Sequence, residues 1–232
     1  MRRLLVLAIT ALGLLVPLLP SPAAADAVVL KAQRRLNELR CDAGPADGDM
    51  GAHTRTGIVR FQSRHRLDQT GRLDATTRRT LHSTRAKRCD RRSVPARSGS
   101  GRRIVISQRQ NWIWLIGPKG RVQAQGGIVD NPKVLRKGTW RTGSYCGRRA
   151  RVRLNQSAGG AYWLDHFVRF APCGIGFHRI PRHMSNGRQL HPDWYLGTDM
   201  VRDSAGCVRL SRAMAARVWD FTAGARTTVR VL

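Results

Sequence analysis

The stretch Asp203-Ser204-Ala205-Gly206-Cys207-Val208-Arg209-Leu210-Ser211 gathers the residue types that nucleophilic chemistry needs. Small residues ahead of the cysteine let the backbone turn tightly and offer its N–H groups to a ligand. A helix start just beyond, and Arg209, both favour thiolate over thiol. Such a thiolate can attack a carbonyl. The N–H groups of Cys207 and its neighbour Gly206 would then stabilise the oxyanion, each donor contributing roughly 10²–10³ in rate. A half-cystine held in a turn has the same local composition, so these residues alone leave both readings open. A cysteine nucleophile also needs a base. Gly174-Ile175-Gly176-Phe177-His178 ends an apolar strand with a histidine, where a rigid scaffold can hold a catalytic group. His183 and His191 follow in a polar stretch and read as loop residues.

The elements that must position these groups are short strands. Ile104–Ile106, Trp112–Ile116 and Val122–Val129 are rich in β-branched and aromatic residues, with Gly117-Pro118-Lys119-Gly120 as a hairpin turn. Ala161–Leu164, Gly174–His178 and Thr228–Leu232 continue the pattern. One late helix is predicted over Arg212–Phe221, capped by Ser211. Many short strands with one helix predict a β-sandwich or partly closed barrel.

Residues 103–232 are preceded by a polar Ser/Pro/Gly stretch, 90–102, which reads as a linker. Ahead of it, 28–89 is helical. Val29, Ala32, Leu36 and Leu39 form one stripe at helical spacing, Thr54, Ile58 and Phe61 a second, and Leu73, Thr77 and Leu81 a third, with Asp74 as N-cap. Gly48–Arg55 is echoed by Gly71–Arg78, a turn and helix start occurring twice. About 60 residues make a marginal core. Cys41 and Cys89 bracket most of it, and a bridge between them would stabilise it by ~2–4 kcal/mol.

The helical segment resembles three-helix peptidoglycan-binding domains through Gln33, Leu36, Gly44, Asp47-Gly48, Gly51, Thr54, Phe61-Gln62, Leu67, Gly71, Thr76 and Leu81. That resemblance implies binding of wall peptide or glycan. Phe177-His178 followed by Ser204-Ala205-Gly206-Cys207-Val208-Arg209 resembles the catalytic domain of YkuD-type L,D-transpeptidases, as do Ile104–Ser107 and Gly138–Gly143. The implied fold is a small all-α three-helix bundle followed by a mainly-β sandwich. The implied reaction needs no cofactor and no metal. Cys207 takes an acyl group from a wall tetrapeptide and expels D-Ala. His178 is the base, oriented by the carbonyl of Arg179, and Ser204 and Arg209 shape the pocket. The acyl group passes to an amine of a second stem, giving a 3-3 cross-link. Pairing of Cys41 with Cys89 and of Cys146 with Cys173 would leave Cys207 reduced. Two departures stand out. Ala205 occupies the place where the common motif has His. Twenty-five residues separate His178 from Ser204, more than is usual, while His191 lies at the more usual distance, sixteen before Cys207. The apolar strand ahead of His178 favours it as the base.

Compartment and charge agree with that implication. Met1–Ala25 reads as a secretory signal, with Arg2-Arg3, an apolar run from Leu4 to Leu19, and Ala23-Ala24-Ala25 for cleavage. The expected location is secreted, in the cell wall or a periplasm-equivalent space, with no stable membrane anchor after cleavage. The formal charge of +28 suits a matrix of peptide stems and anionic wall polymers. A nucleic-acid partner is disfavoured by the export signal and by the lack of an aromatic-basic platform. A zinc peptidase using His178, His183, His191 or Cys207 is disfavoured by spacings that match no usual zinc motif. Two further readings stay open: a catalytically inert wall-binding protein, because of Ala205, and an L,D-carboxypeptidase with water as acceptor.

Overall fold

A computed structural model describes residues 22–201, 203–224 and 226–232. Residues 1–21 of the expected signal lie outside them. Among the described residues no helix is long and apolar enough to cross a membrane.

Three helices come first: α1 (Pro22–Glu38), α2 (Ala52–His65) and α3 (Ala75–Leu81). Their apolar stripes meet in one small core of Ala32, Leu36, Leu39, Ile58, Phe61 and Leu81, closed by the Cys41–Cys89 disulfide. The internal echo has a physical basis. Gln33 is fully buried; its carbonyl accepts from Gly48 N at 2.8 Å and its amide donates to Thr54 Oγ1 at 2.9 Å. Gln62 repeats this, accepting from Gly71 N at 3.0 Å and donating to Thr77 Oγ1 at 3.1 Å. Each copy ties a glycine turn to the first turn of the next helix through one buried amide, satisfying donors that burial would otherwise leave unpaired.

The remainder is built from strands β1 (Arg103–Ser107), β2 (Trp112–Ile116), β3 (Val122–Gly127), β4 (Gly138–Arg141), β5 (Arg151–Gln156), β6 (Tyr162–Arg169), β7 (Gly176–Arg179), β8 (Arg182–His183), β9 (Val208–Leu210) and β10 (Thr228–Val231), with α4 (Arg212–Phe221) before the last. One sheet has the order β3-β2-β1-β10-β4. The second runs β5-β6-β7-β9, with β8 also paired to β6. A shared core of Ile104, Ile113, Phe170, Phe177, Val208 and Val229, with Val218 of α4, draws on both sheets. Ser211 caps α4, its hydroxyl accepting from Met214 N at 3.1 Å. The hairpin turn closes through Gly120 N to Gly117 O at 3.0 Å.

The stretch 90–102 carries no regular structure, yet it does not hang free. Arg92 is 3% exposed, sits 4.2 Å over the Trp112 ring, and donates to Gln110 O at 2.6 Å; its own carbonyl accepts from Trp114 Nε1 at 3.0 Å. The helices dock on the β region through α2. Arg60, buried, donates to Leu196 O at 2.8 Å, to Trp194 O, and to Cys41 O at 2.6 Å. His53 stacks on Trp194, with ring centroids 5.0 Å apart. A guanidinium shared between carbonyls of two units fixes their relative orientation. Arg60→Met should leave those carbonyls buried without a donor and cost at least about 3 kcal/mol, because hydrogen bonds to charged groups contribute roughly 1.5–3 kcal/mol each. Urea unfolding read by tryptophan fluorescence checks this; an unchanged midpoint would show that Arg60 does not hold the units together.

Candidate active site

Strand geometry brings the sequence-predicted residues to one face. β7 and β9 pair in parallel, with Phe177 opposite Val208 and His178 opposite Arg209. Side chains alternate between faces along a strand. Phe177 and Val208 therefore enter the core together, and His178, Arg209 and Cys207 share the opposite face. There they line a cavity of about 530 Å³ with apolar walls that include Phe167, Ile175 and Leu190.

His178 is buried and stacked near-parallel on Phe167, centroids 6.0 Å apart. Its Nδ1 lies 2.5 Å from Arg179 O. A carbonyl only accepts, so Nδ1 carries the proton and Nε2 is the free lone pair. Burial drives the His178 pKa down to about 4, against a smaller upward pull from that hydrogen bond. The ring is thus a neutral base at pH 7.

Cys207 is the free cysteine among the described residues, since Cys146 bonds Cys173 and Cys41 bonds Cys89. Its Sγ donates to Gly174 O at 3.4 Å. Burial raises its pKa, opposed by the Gly176 N–H and by Arg169 and Arg209. The resting group is therefore a thiol. This corrects the expectation of a thiolate: β9 stands between the cysteine and α4, and desolvation outweighs the nearby guanidinium groups. A thiol beside a neutral imidazole can still react if the base takes the proton during attack.

Ser204 holds the turn rather than lining it alone. Its hydroxyl donates to Cys207 O at 2.6 Å and accepts from Gly206 N at 3.1 Å. The Gly206 N–H is thereby occupied, which removes it from the expected oxyanion pair. No hydrogen bond from the Cys207 N–H is found among the described residues outside the strand ladders. Gly206 has φ +104, and a Cβ there would meet Val134 at 2.7 Å, so only glycine fits. Arg209 pairs with Asp203 at 2.7 Å. The Arg179 side chain leaves the cavity to bond Gln189 at 2.9 Å and only its carbonyl serves the histidine.

His191 is outside the cavity lining. Its Nδ1 faces Pro192 O at 3.1 Å, its ring packs edge-on against Tyr195, and its Nε2 is buried without a partner among the described residues. Among the described residues no three His, Cys, Asp or Glu side chains are grouped to hold a metal ion. Sequence reasoning missed Asn131, whose amide donates to Ser204 O at 2.8 Å and so fixes the turn from a distant loop. It also missed Gly174 and Arg169, taken up below.

No match was found among curated proteins. Among solved structures, the chain is similar to an L,D-transpeptidase from Xylanimonas cellulosilytica (20% identity over 88% of this chain and 92% of that one, TM-score 0.49). It is also similar to an L,D-transpeptidase from Stackebrandtia nassauensis (18%, 88% and 90%, TM-score 0.44) and one from Mycobacterium smegmatis (19%, 58% and 59%, TM-score 0.41). At the N-terminal end, residues 26–81 match the family model described as "Putative peptidoglycan binding domain".

Proposed function

We propose that this chain is an exported cysteine acyltransferase acting on peptidoglycan. Its helical unit, with the linker 90–102 behind it, brings residues 103–232 to the wall. Cys207 attacks the carbonyl ahead of the last residue of a tetrapeptide stem. His178 Nε2 takes the thiol proton as the C–S bond forms, and the Cys207 N–H faces the developing oxyanion. Collapse of the tetrahedral adduct expels D-Ala, whose amine receives the proton from His178. The thioester then passes to a side-chain amine of a second stem, regenerating the thiol.

One observation carries this reading: the unpaired cysteine and a histidine whose tautomer is set by Arg179 O share one face of one cavity. The match of residues 26–81 supports the wall as the partner, and two disulfides suit an oxidising compartment. Intact-mass analysis after incubation with a disaccharide-tetrapeptide should show one covalent adduct of the stem less D-Ala, mapping to Cys207. Free D-Ala that appears with the thioester lost to water would identify a carboxypeptidase. No adduct and no D-Ala, on folded chain with an intact thiol, would leave a wall-binding protein.

A further inference from the structure

The cavity holds a cationic group for which neither the fold nor the proposed chemistry has yet given a use. Arg169 ends β6 and is opposite Gly176 of β7 in the ladder. Gly176 in turn precedes Phe177 as Cys207 precedes Val208, the partner of Phe177 on β9, so the two lie side by side. Arg169, Gly176 and Cys207 thus run across three adjacent strands on the cavity face, spanning about 10 Å of main chain at the usual spacing. Gly176 has no side chain, so nothing projects between the outer two.

Arg169 is 3% exposed, and its guanidinium lies 4.9 Å from the Phe167 ring. Nε donates to Arg149 O at 3.3 Å, but Nη1 is buried with no hydrogen-bond partner among the described residues. No carboxylate among the described residues pairs with it, whereas Arg209 in the same cavity is neutralised by Asp203. A third cation, Arg148, also lines this cavity. A buried cationic donor left unpaired is costly. A ligand that brings an anion into the cavity removes that cost.

Gly174 locates the anion relative to the nucleophile. Its carbonyl oxygen is 3.4 Å from Cys207 Sγ, and a Cβ built on it would lie 4.0 Å from Arg169 Nη1. Sulfur and guanidinium flank the same residue. A peptide's terminal carboxylate lies one residue, about 3.3–3.6 Å of extended chain, beyond the carbonyl that precedes it. One residue of the stem lies between the attacked carbonyl and that carboxylate, and one residue, Gly174, lies between the sulfur and the guanidinium.

We infer that Arg169 is a specificity-determining residue that binds the free terminal carboxylate of the donor stem, the carboxylate carried by the departing amino acid. This rests on the acyl-transfer reading above. It makes the enzyme selective for stems that end one residue past the attacked carbonyl, because a longer stem would place a peptide bond where the charge is needed.

The test uses the full mature chain and three N-acetylated tetrapeptide donors: the free acid, the C-terminal amide, and a donor amidated only at an internal side-chain carboxyl. Release of the last residue is followed by mass spectrometry. The wild-type kcat/KM should fall about tenfold to a hundredfold for the terminal amide, the size of one charge-assisted hydrogen bond. It should change little for the internal amide. In Arg169→Gln, acid and terminal amide should react alike, and Arg169→Lys should restore part of the preference. Equal rates for acid and terminal amide in the wild type would overturn the inference, with no dependence on how any variant folds. So would a preference that survives in Arg169→Gln, or selectivity against the internal amide alone. If no donor turns over, the acyl-transfer reading fails and calorimetry decides the binding question separately. Preferential binding of the acid, lost in Arg169→Gln, would support the carboxylate site; indifference would overturn it.

Discussion

Cys207→Ala should abolish release of D-Ala, by at least about 10⁴-fold, while retention of the protein on insoluble peptidoglycan changes less than twofold. The first half follows from the cysteine economy. Four of the five cysteines are in disulfides, so no second thiol can substitute. Loss of a covalent nucleophile removes the whole acyl-enzyme route, and the residual rate comes from binding and oxyanion donors alone. The second half follows from distance in the fold. Cys207 neighbours Gly174, Ser204 and the β7 main chain, whereas α2 meets the β region at Arg60, through the carbonyls of Trp194 and Leu196. Cys207→Ser is the companion variant, since it keeps the shape and hydrogen-bonding capacity of the site. Turnover within tenfold of wild type in both variants would show that the sulfur is not the nucleophile. Loss of wall retention in both would show that the cavity, not the helical unit, binds the wall.

The local elements were legible because their signals are local. The Ser211 cap, the Gly117–Gly120 turn and the three helical stripes depend on residues within a few positions of one another, and the structure forms each of them. β5 was not read as a strand. Its sequence, RVRLNQ, places arginine where the period-two pattern is polar and has too few apolar residues to signal a sheet; all its strand positions are half-buried or exposed. The polar composition of 90–102 reads as a linker, but composition cannot report that Arg92 finds the Trp112 face and the Gln110 carbonyl. The long interval after His178 looked like an insertion to be accommodated. Its use is spatial: it carries Trp194 and Leu196 to Arg60, so the extra chain joins the helices to the site region.

The chemistry was half legible for the same reason. Residue types and order pointed to Cys207 and His178, and alternation along β7 and β9 places them together. Protonation state depends on burial, which is a sum over many distant atoms. Arg209 and a helix start suggested thiolate, but the strand between them and the cavity walls around the sulfur reverse the balance. Asn131, Gly174 and Arg169 lie on three separate loops or strand ends, with no motif among them.

His178→Ala should lower the acylation rate by about 10²–10⁴-fold, the usual contribution of a positioned general base, and His191→Ala by less than threefold. His178 lines the cavity with its Nε2 free, while His191 is turned into the loop against Tyr195 and Pro192. The pH dependence separates this base from an ordinary histidine. Attack requires neutral His178, and its pKa is held down to about 4 by burial. The rate of acylation should therefore be level from about pH 8 down to pH 5 and fall tenfold per unit only below about pH 4. A limb near 6.5 would instead mark a solvated imidazole. Stability follows the same shift with a definite sign. Between pH 6.5 and 4 the unfolded chain binds a proton at this residue and the folded chain does not, so stability falls as acid is added. The full effect is about 3 kcal/mol, complete below pH 4. His178→Gln should flatten that part of the stability curve, measured by urea unfolding at pH 7, 5.5 and 4.5. The reverse order of His178→Ala and His191→Ala would move the base to His191. An unchanged pH–stability slope in His178→Gln would mean that the imidazole is not the desolvated group on which this mechanism relies.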